Sequence, residues 1–117
     1  NNSWFHNIRS LAKGPQRCTL QVHPEDARAL KLTNGDLAII ESRVGKVKAP
    51  VELTEKLMRG VVSLPHGYGH GEANTQLSGA KVFQSGTNVN VISDDKWHDL
   101  TSGNAAFNGI SVSISAQ

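Results

Sequence analysis

Apolar and polar side chains alternate along several stretches of the chain, and each alternation predicts a half-buried strand. In 17–23, Cys18, Leu20 and Val22 fall on one face and Thr19 and Gln21 on the other. The same period of two runs through 46–53, with Val47, Ala49, Val51 and Leu53 inward, and through 110–115, with Ile110, Val112 and Ile114 inward. The Ile-rich segment 37–43 reads as a strand joined to 46–53 by a tight hairpin at Val44-Gly45, and 61–64 reads as a short strand. Pro50 cannot donate a ladder hydrogen bond, which predicts an edge position or a bulge.

Helical signals are few. Pro24 suits a first helical turn and Glu25 and Asp26 favour its positive end, so a helix of about two turns follows, ended by the turn Thr33-Asn34-Gly35-Asp36. Thr54 is placed to cap one helical turn over 55–58, with Gly60 behind it. The order of strand, short helix, strand, hairpin, strand, helical turn and strand predicts a small closed barrel. The closing strand comes from 110–115, after some 45 residues with little strand signal, a length that points to function.

Composition narrows the classes. The 117 residues leave room for one domain with one core. A net charge of +2, with no basic block, is a weak footprint for nucleic acid, and no apolar run reaches the length of a membrane span. The single cysteine, Cys18, excludes an intrachain disulfide and an iron–sulfur cluster held by this chain, and is compatible with a reducing, cytoplasmic setting. It lies on the inward face of its strand, where a thiol packs rather than reacts. The opening at Asn1-Asn2-Ser3-Trp4 predicts a piece of something longer.

The chemistry gathers in 60–90. An apolar run stops at Pro65, and the chain enters His66-Gly67-Tyr68-Gly69-His70-Gly71, whose glycines allow close backbone approach and whose imidazoles and phenol are neutral donors and acceptors. His66 and His70 have a spacing that suits a metal only on a helix. Gly67 and Gly69 oppose one, so no metal site is expected. The glycine run lacks the Lys-Ser/Thr ending of a P-loop and the spacing of a dinucleotide-binding crossover. Asn88 and Asn90 carry carboxamides, which pair in two-point fashion with the edge of a purine or pterin without adding charge. Asp94, Asp95, Asp99 and His98 read as a solvated turn surface.

Six motifs in order resemble a known family: 23–27 (His-Pro-Glu-Asp-Ala), 32–37 (Leu-Thr-Asn-Gly-Asp-Leu), 41–45 (Glu-Ser-Arg-Val-Gly), 59–65 (Arg-Gly-Val-Val-Ser-Leu-Pro), 90–93 (Asn-Val-Ile-Ser) and 99–109. They are similar to the C-terminal molybdopterin-dinucleotide-binding domain of dimethyl-sulfoxide-reductase-type molybdenum and tungsten oxidoreductases. The resemblance implies a mainly β fold, a double-psi β-barrel of the aspartate-decarboxylase type with short helices and long cofactor-facing loops. It also implies that 1–117 is one domain, a C-terminal piece of a larger enzyme, enclosing bis(molybdopterin guanine dinucleotide) whose metal ligand comes from another domain.

The cofactor-contacting residues that follow from the resemblance and from the loop chemistry are Asn1, Asn2, Ser3, Trp4, His6, Asn7, His66, Gly67, Tyr68, His70, Asn88, Asn90 and Asn108, with no catalytic residue in this chain. Two departures stand out. Leu100 follows Asp99 where the family has proline, and Asn108 replaces a lysine that meets an anionic part of the cofactor, keeping its hydrogen bond but not its charge. The implied partners are the remaining domains of the parent, without nucleic acid or membrane, and the isolated domain is expected to be monomeric and not itself catalytic. The same barrel hosts a pyruvoyl decarboxylase, but that chemistry needs a Gly-Ser bond, and no glycine here precedes serine. An interaction module without cofactor is the alternative.

Overall fold

The computed structural model describes residues 3–71, 73 and 75–117. Five strands, β1 (Leu20–Val22), β2 (Leu37–Glu41), β3 (Lys46–Leu53), β4 (Val62–Ser63) and β5 (Ser113–Ala116), form one mixed sheet in the order β4-β1-β3-β2-β5. β1 runs parallel to β3, in the register Leu20↔Val51 and Val22↔Leu53. The other pairings are antiparallel.

The alternation written in the sequence decides which face is buried. Leu20, Val22, Ala38, Ile40, Val47, Ala49 and Val51 point into one core with Ala27, Leu32 and Ile92, each Val, Leu or Ile contributing roughly 1.5–3 kcal/mol by burial. The sheet curls over this core as a half-barrel. Val62 and Leu64 from one edge and Val112 and Ile114 from the other pack on the same cluster, yet β4 and β5 are not hydrogen-bonded to each other. The closing strand therefore pairs with β2, through Ile40↔Ile114, and leaves the curled sheet open.

Several local expectations change. Pro50 sits in β3, which is an interior strand, and not at an edge; it is accommodated because the ladder to β1 begins only at Val51. Helix α1 (Pro24–Ala29) is capped by the His23 ring, whose Nδ1 accepts from the Glu25 amide at 3.2 Å. It ends before the Asn-Gly turn, where Lys31 takes φ 57° and Leu32 N–H bonds back to Ala27 C=O at 2.8 Å. Residues 55–58 form a turn without a helix, although Thr54 Oγ1 does accept from Lys56 N–H. The long stretch after β4 contains a second helix, α2 (Ser78–Phe83), and a 3-10 turn at Val89–Val91; another 3-10 turn covers Ser3–Asn7.

Candidate functional site

Three segments distant in sequence converge beside the end of the sheet. The 3-10 turn Ser3–Asn7 docks on α2, because Asn7 Oδ1 accepts the otherwise orphaned amides of Gly79 and Ala80 at 2.8 and 3.1 Å. No residue adjacent to α2 caps it; Leu77, at the N-cap position, makes no side-chain bond. The loop 66–70 is fixed by one carbonyl, Ser85 C=O, which accepts from both Gly69 and His70 N–H at 2.8 Å. Glycine permits this crossing: Gly69 has φ 102°, and a Cβ there would lie 2.5 Å from Asn88 Cβ.

These constraints bring His6, Tyr68 and His70 together. The His6 and Tyr68 rings stack with centroids 4.7 Å apart and planes at 30°. His6 Nδ1 lies 3.0 Å from His70 Nε2. Tyr68 and His70 are buried, at 8% and 6% exposure. Burial first, and then the neighbouring His70, lowers the His6 pKa from 6.5, while burial raises that of the Tyr68 phenol. With His6 and the Tyr68 phenol both held towards their neutral forms, the cluster offers ring faces and N–H, O–H and N: groups without a carboxylate or a permanent charge.

Cys18 lies beneath Tyr68. Its Sγ accepts from Thr87 N–H at 3.2 Å, and burial raises its pKa, which agrees with the packed thiol expected from its strand face. Gly86 separates the two side chains, since a Cβ there would meet Tyr68 Cβ at 2.6 Å and Cys18 Cβ at 2.8 Å.

The other expected residues distribute differently. Asn7 is committed to α2, and Asn88 Oδ1 accepts from Asn90 N–H at 3.1 Å, so both have structural work. Asn90 has an exposed side chain two residues before buried Ile92, which anchors that segment in the core. His66 is exposed and Gly67 turns the chain at φ 87°. Ser3 is half-buried and Trp4 exposed on the first 3-10 turn. Asn108 is exposed on the rim of a cavity between the two sheet edges, with Leu64, Val89 and Phe107. Asn1 and Asn2 lie outside the described residues. No group of three or more metal-ligating side chains occurs among the described residues.

Two features had no local signal in the sequence. Asp94 is buried and receives Arg43 in bidentate fashion, Nε and Nη2 at 2.5 and 2.6 Å, so it is not part of a solvated surface. Gln84, next to Phe83 at the end of α2, is buried at 4% exposure; its Nε2 approaches Ala12 C=O at 3.5 Å and its Oε1 has no hydrogen-bond partner. An orphaned buried carboxamide oxygen costs about 1–3 kcal/mol. Gln84 lines a cleft of about 360 Å³ with His6, Tyr68, Lys13 and Arg17, a size at the lower end for small-molecule sites.

Known proteins resemble this chain over most of its length. The chain is 28% identical over 120 residues to the molybdopterin-containing subunit of the arsenate respiratory reductase of Chrysiogenes arsenatis, an alignment covering 96% of this chain and 14% of the relative. It is 28% identical over 109 residues to a subunit of the tetrathionate reductase of Salmonella typhimurium, covering 80% and 11%. The chain thus spans about a seventh or less of the length of these relatives. Its fold matches part of acetylene hydratase from Pelobacter acetylenicus with a TM-score of 0.68 at 23% identity, over 85% of this chain and 14% of that one. The family model described as "Molydopterin dinucleotide binding domain" matches residues 1–111, and the chain belongs to that family.

Proposed function

We propose that this domain closes over a molybdopterin guanine dinucleotide with the face formed by Ser3–Asn7, residues 66–70 and residues 88–90, as the C-terminal domain of a larger molybdenum or tungsten oxidoreductase. The observation that carries the reading is the stacked, hydrogen-bonded cluster of His6, Tyr68 and His70, assembled from segments 64 residues apart. Its donor set fits the group. Neutral imidazole, phenol and carboxamide groups hydrogen-bond a heterocycle without imposing charge on it, and Gln84 Oε1 is an acceptor still lacking a donor.

When bound, the cofactor supplies two-electron chemistry at its metal. The residues of this chain bind, orient and exclude water: Asn90 offers an exposed carboxamide, His6 and His70 offer ring nitrogens, and Asn108 offers a neutral side chain where a cation would be expected. The curled sheet, with β4 and β5 facing each other across the core, supports a double-psi barrel as the fold.

His70→Ala in the full-length protein tests the reading. The expected result is less metal and less guanine nucleotide per folded molecule. Unchanged loading, with His6 no longer held by its partner, would leave the cluster as packing alone.

A further inference from the structure

We infer that Asn108-Gly109, in the loop leading to β5, is a site of spontaneous deamidation in the folded protein, and that Asn34-Gly35, the same dipeptide in the turn before β2, is protected by the fold. The cofactor reading does not enter this inference.

Two asparagines of the chain precede glycine, Asn34 and Asn108. A following glycine has no side chain to shield its backbone nitrogen, so that nitrogen can reach the asparagine Cγ. The N–Cγ bond forms, the Cγ–Nδ2 bond breaks, and ammonia leaves with the proton that the backbone amide loses. Water then opens the cyclic imide at either carbonyl and leaves aspartate or isoaspartate. The net change is amide plus water to carboxyl plus ammonia. It requires a carboxamide and a backbone N–H that are both free to move.

The two sites differ in that respect. Asn34 Oδ1 accepts from Leu53 N–H at 2.9 Å, and Gly35 N–H donates to Val51 C=O at 2.8 Å, so the group attacked and the attacking nitrogen are both tied to β3. Both bonds must break before the ring can close. Asn108 and Gly109 are exposed in a bend, and among the described residues neither the Asn108 carboxamide nor the Gly109 N–H makes a hydrogen bond. Space does not distinguish them, because nothing lies within 4 Å of the place a Cβ would occupy at either glycine. Hydrogen bonding decides.

The product changes its surroundings. Asn108 lines a cavity of about 170 Å³ with Arg43, Asp94 and Trp97, so a new carboxylate arrives beside the Arg43–Asp94 pair. An isoaspartyl link also adds a backbone methylene ahead of Val112, which packs on the core.

Full-length protein aged at mildly alkaline pH, folded and in urea, then digested and mapped by mass spectrometry, tests the inference. In the folded protein Asn108 should convert at least about tenfold faster than Asn34, and urea should bring the two rates together. Asn108→Gln, whose longer side chain closes the ring less readily, should remove the conversion from its own peptide and leave the Asn34 peptide unchanged. Equal rates in the folded protein, faster conversion at Asn34, or an Asn108 that stays intact while the protein is folded overturns the inference.

Discussion

His6 Nδ1 and His70 Nε2 lie 3.0 Å apart, so one imidazole must donate to the other. His6 is the group whose pKa is lowered, by burial first and by His70 second.

A pH dependence follows. The folded pKa of His6 lies below 6.5, so the unfolded chain binds the proton more readily, and the stabilisation is fully present above pH 6.5 and lost as pH falls through the folded value. Melting temperature measured from about pH 8 down to about pH 5 should drop more in the wild type than in His6→Gln, which does not titrate. Parallel curves for the two proteins would contradict the coupling.

Arg43 and Asp94 join the β2–β3 hairpin to the segment after the second 3-10 turn, 51 residues apart. Hydrogen bonds from Arg43, then from the Lys96 amide, lower the Asp94 pKa from 3.8 to about 2. The stabilisation is therefore present above pH 3.8 and lost as pH falls towards about 2. Arg43→Ala should lower the urea midpoint well beyond Lys46→Ala, because Lys46 pairs with Glu41 at 3.0 Å in the open, where such pairs contribute little. Equal midpoints would show that the buried carboxylate does not depend on its partner.

Gly86 tests the packing under the site. It has φ 54°, and a methyl group would collide with Tyr68 and Cys18. Gly86→Ala should cost about 1–3 kcal/mol in denaturant unfolding and alter Tyr68 fluorescence as the ring is pushed from His6. A neutral substitution would mean the 84–88 segment yields without strain.

Asn90 and Asn34 separate binding from folding. Asn34 Oδ1 accepts from Leu53 N–H at 2.9 Å, a turn-to-strand bond, whereas the Asn90 carboxamide is exposed. Asn90→Ala in the full-length protein should lower metal and guanine-nucleotide content, with a loss of about 1–3 kcal/mol in cofactor binding. Asn34→Ala should lower stability alone. Equal cofactor content in folded Asn90→Ala and wild type would make Asn90 a structural residue.

The sequence by itself determined the sheet and its inward face, because alternation is local: Leu20 and Val22, Ala38 and Ile40, and Val47, Ala49 and Val51 are buried as the period of two requires. The ordered motifs likewise identified the family, whose model covers residues 1–111. Tertiary structure decided what depends on partners far along the chain. Pro50 lies in an interior strand because β1 pairs only beyond it, and α2 forms where Asn7, more than 70 residues away, caps it. The same holds at the site. His66 and His70 share one loop, yet His70 meets His6, and Gln84 becomes an orphaned acceptor only because folding buries it beside Ala12 and Tyr68. Spacing along a chain encodes periodicity; it does not encode which distant groups desolvate one another.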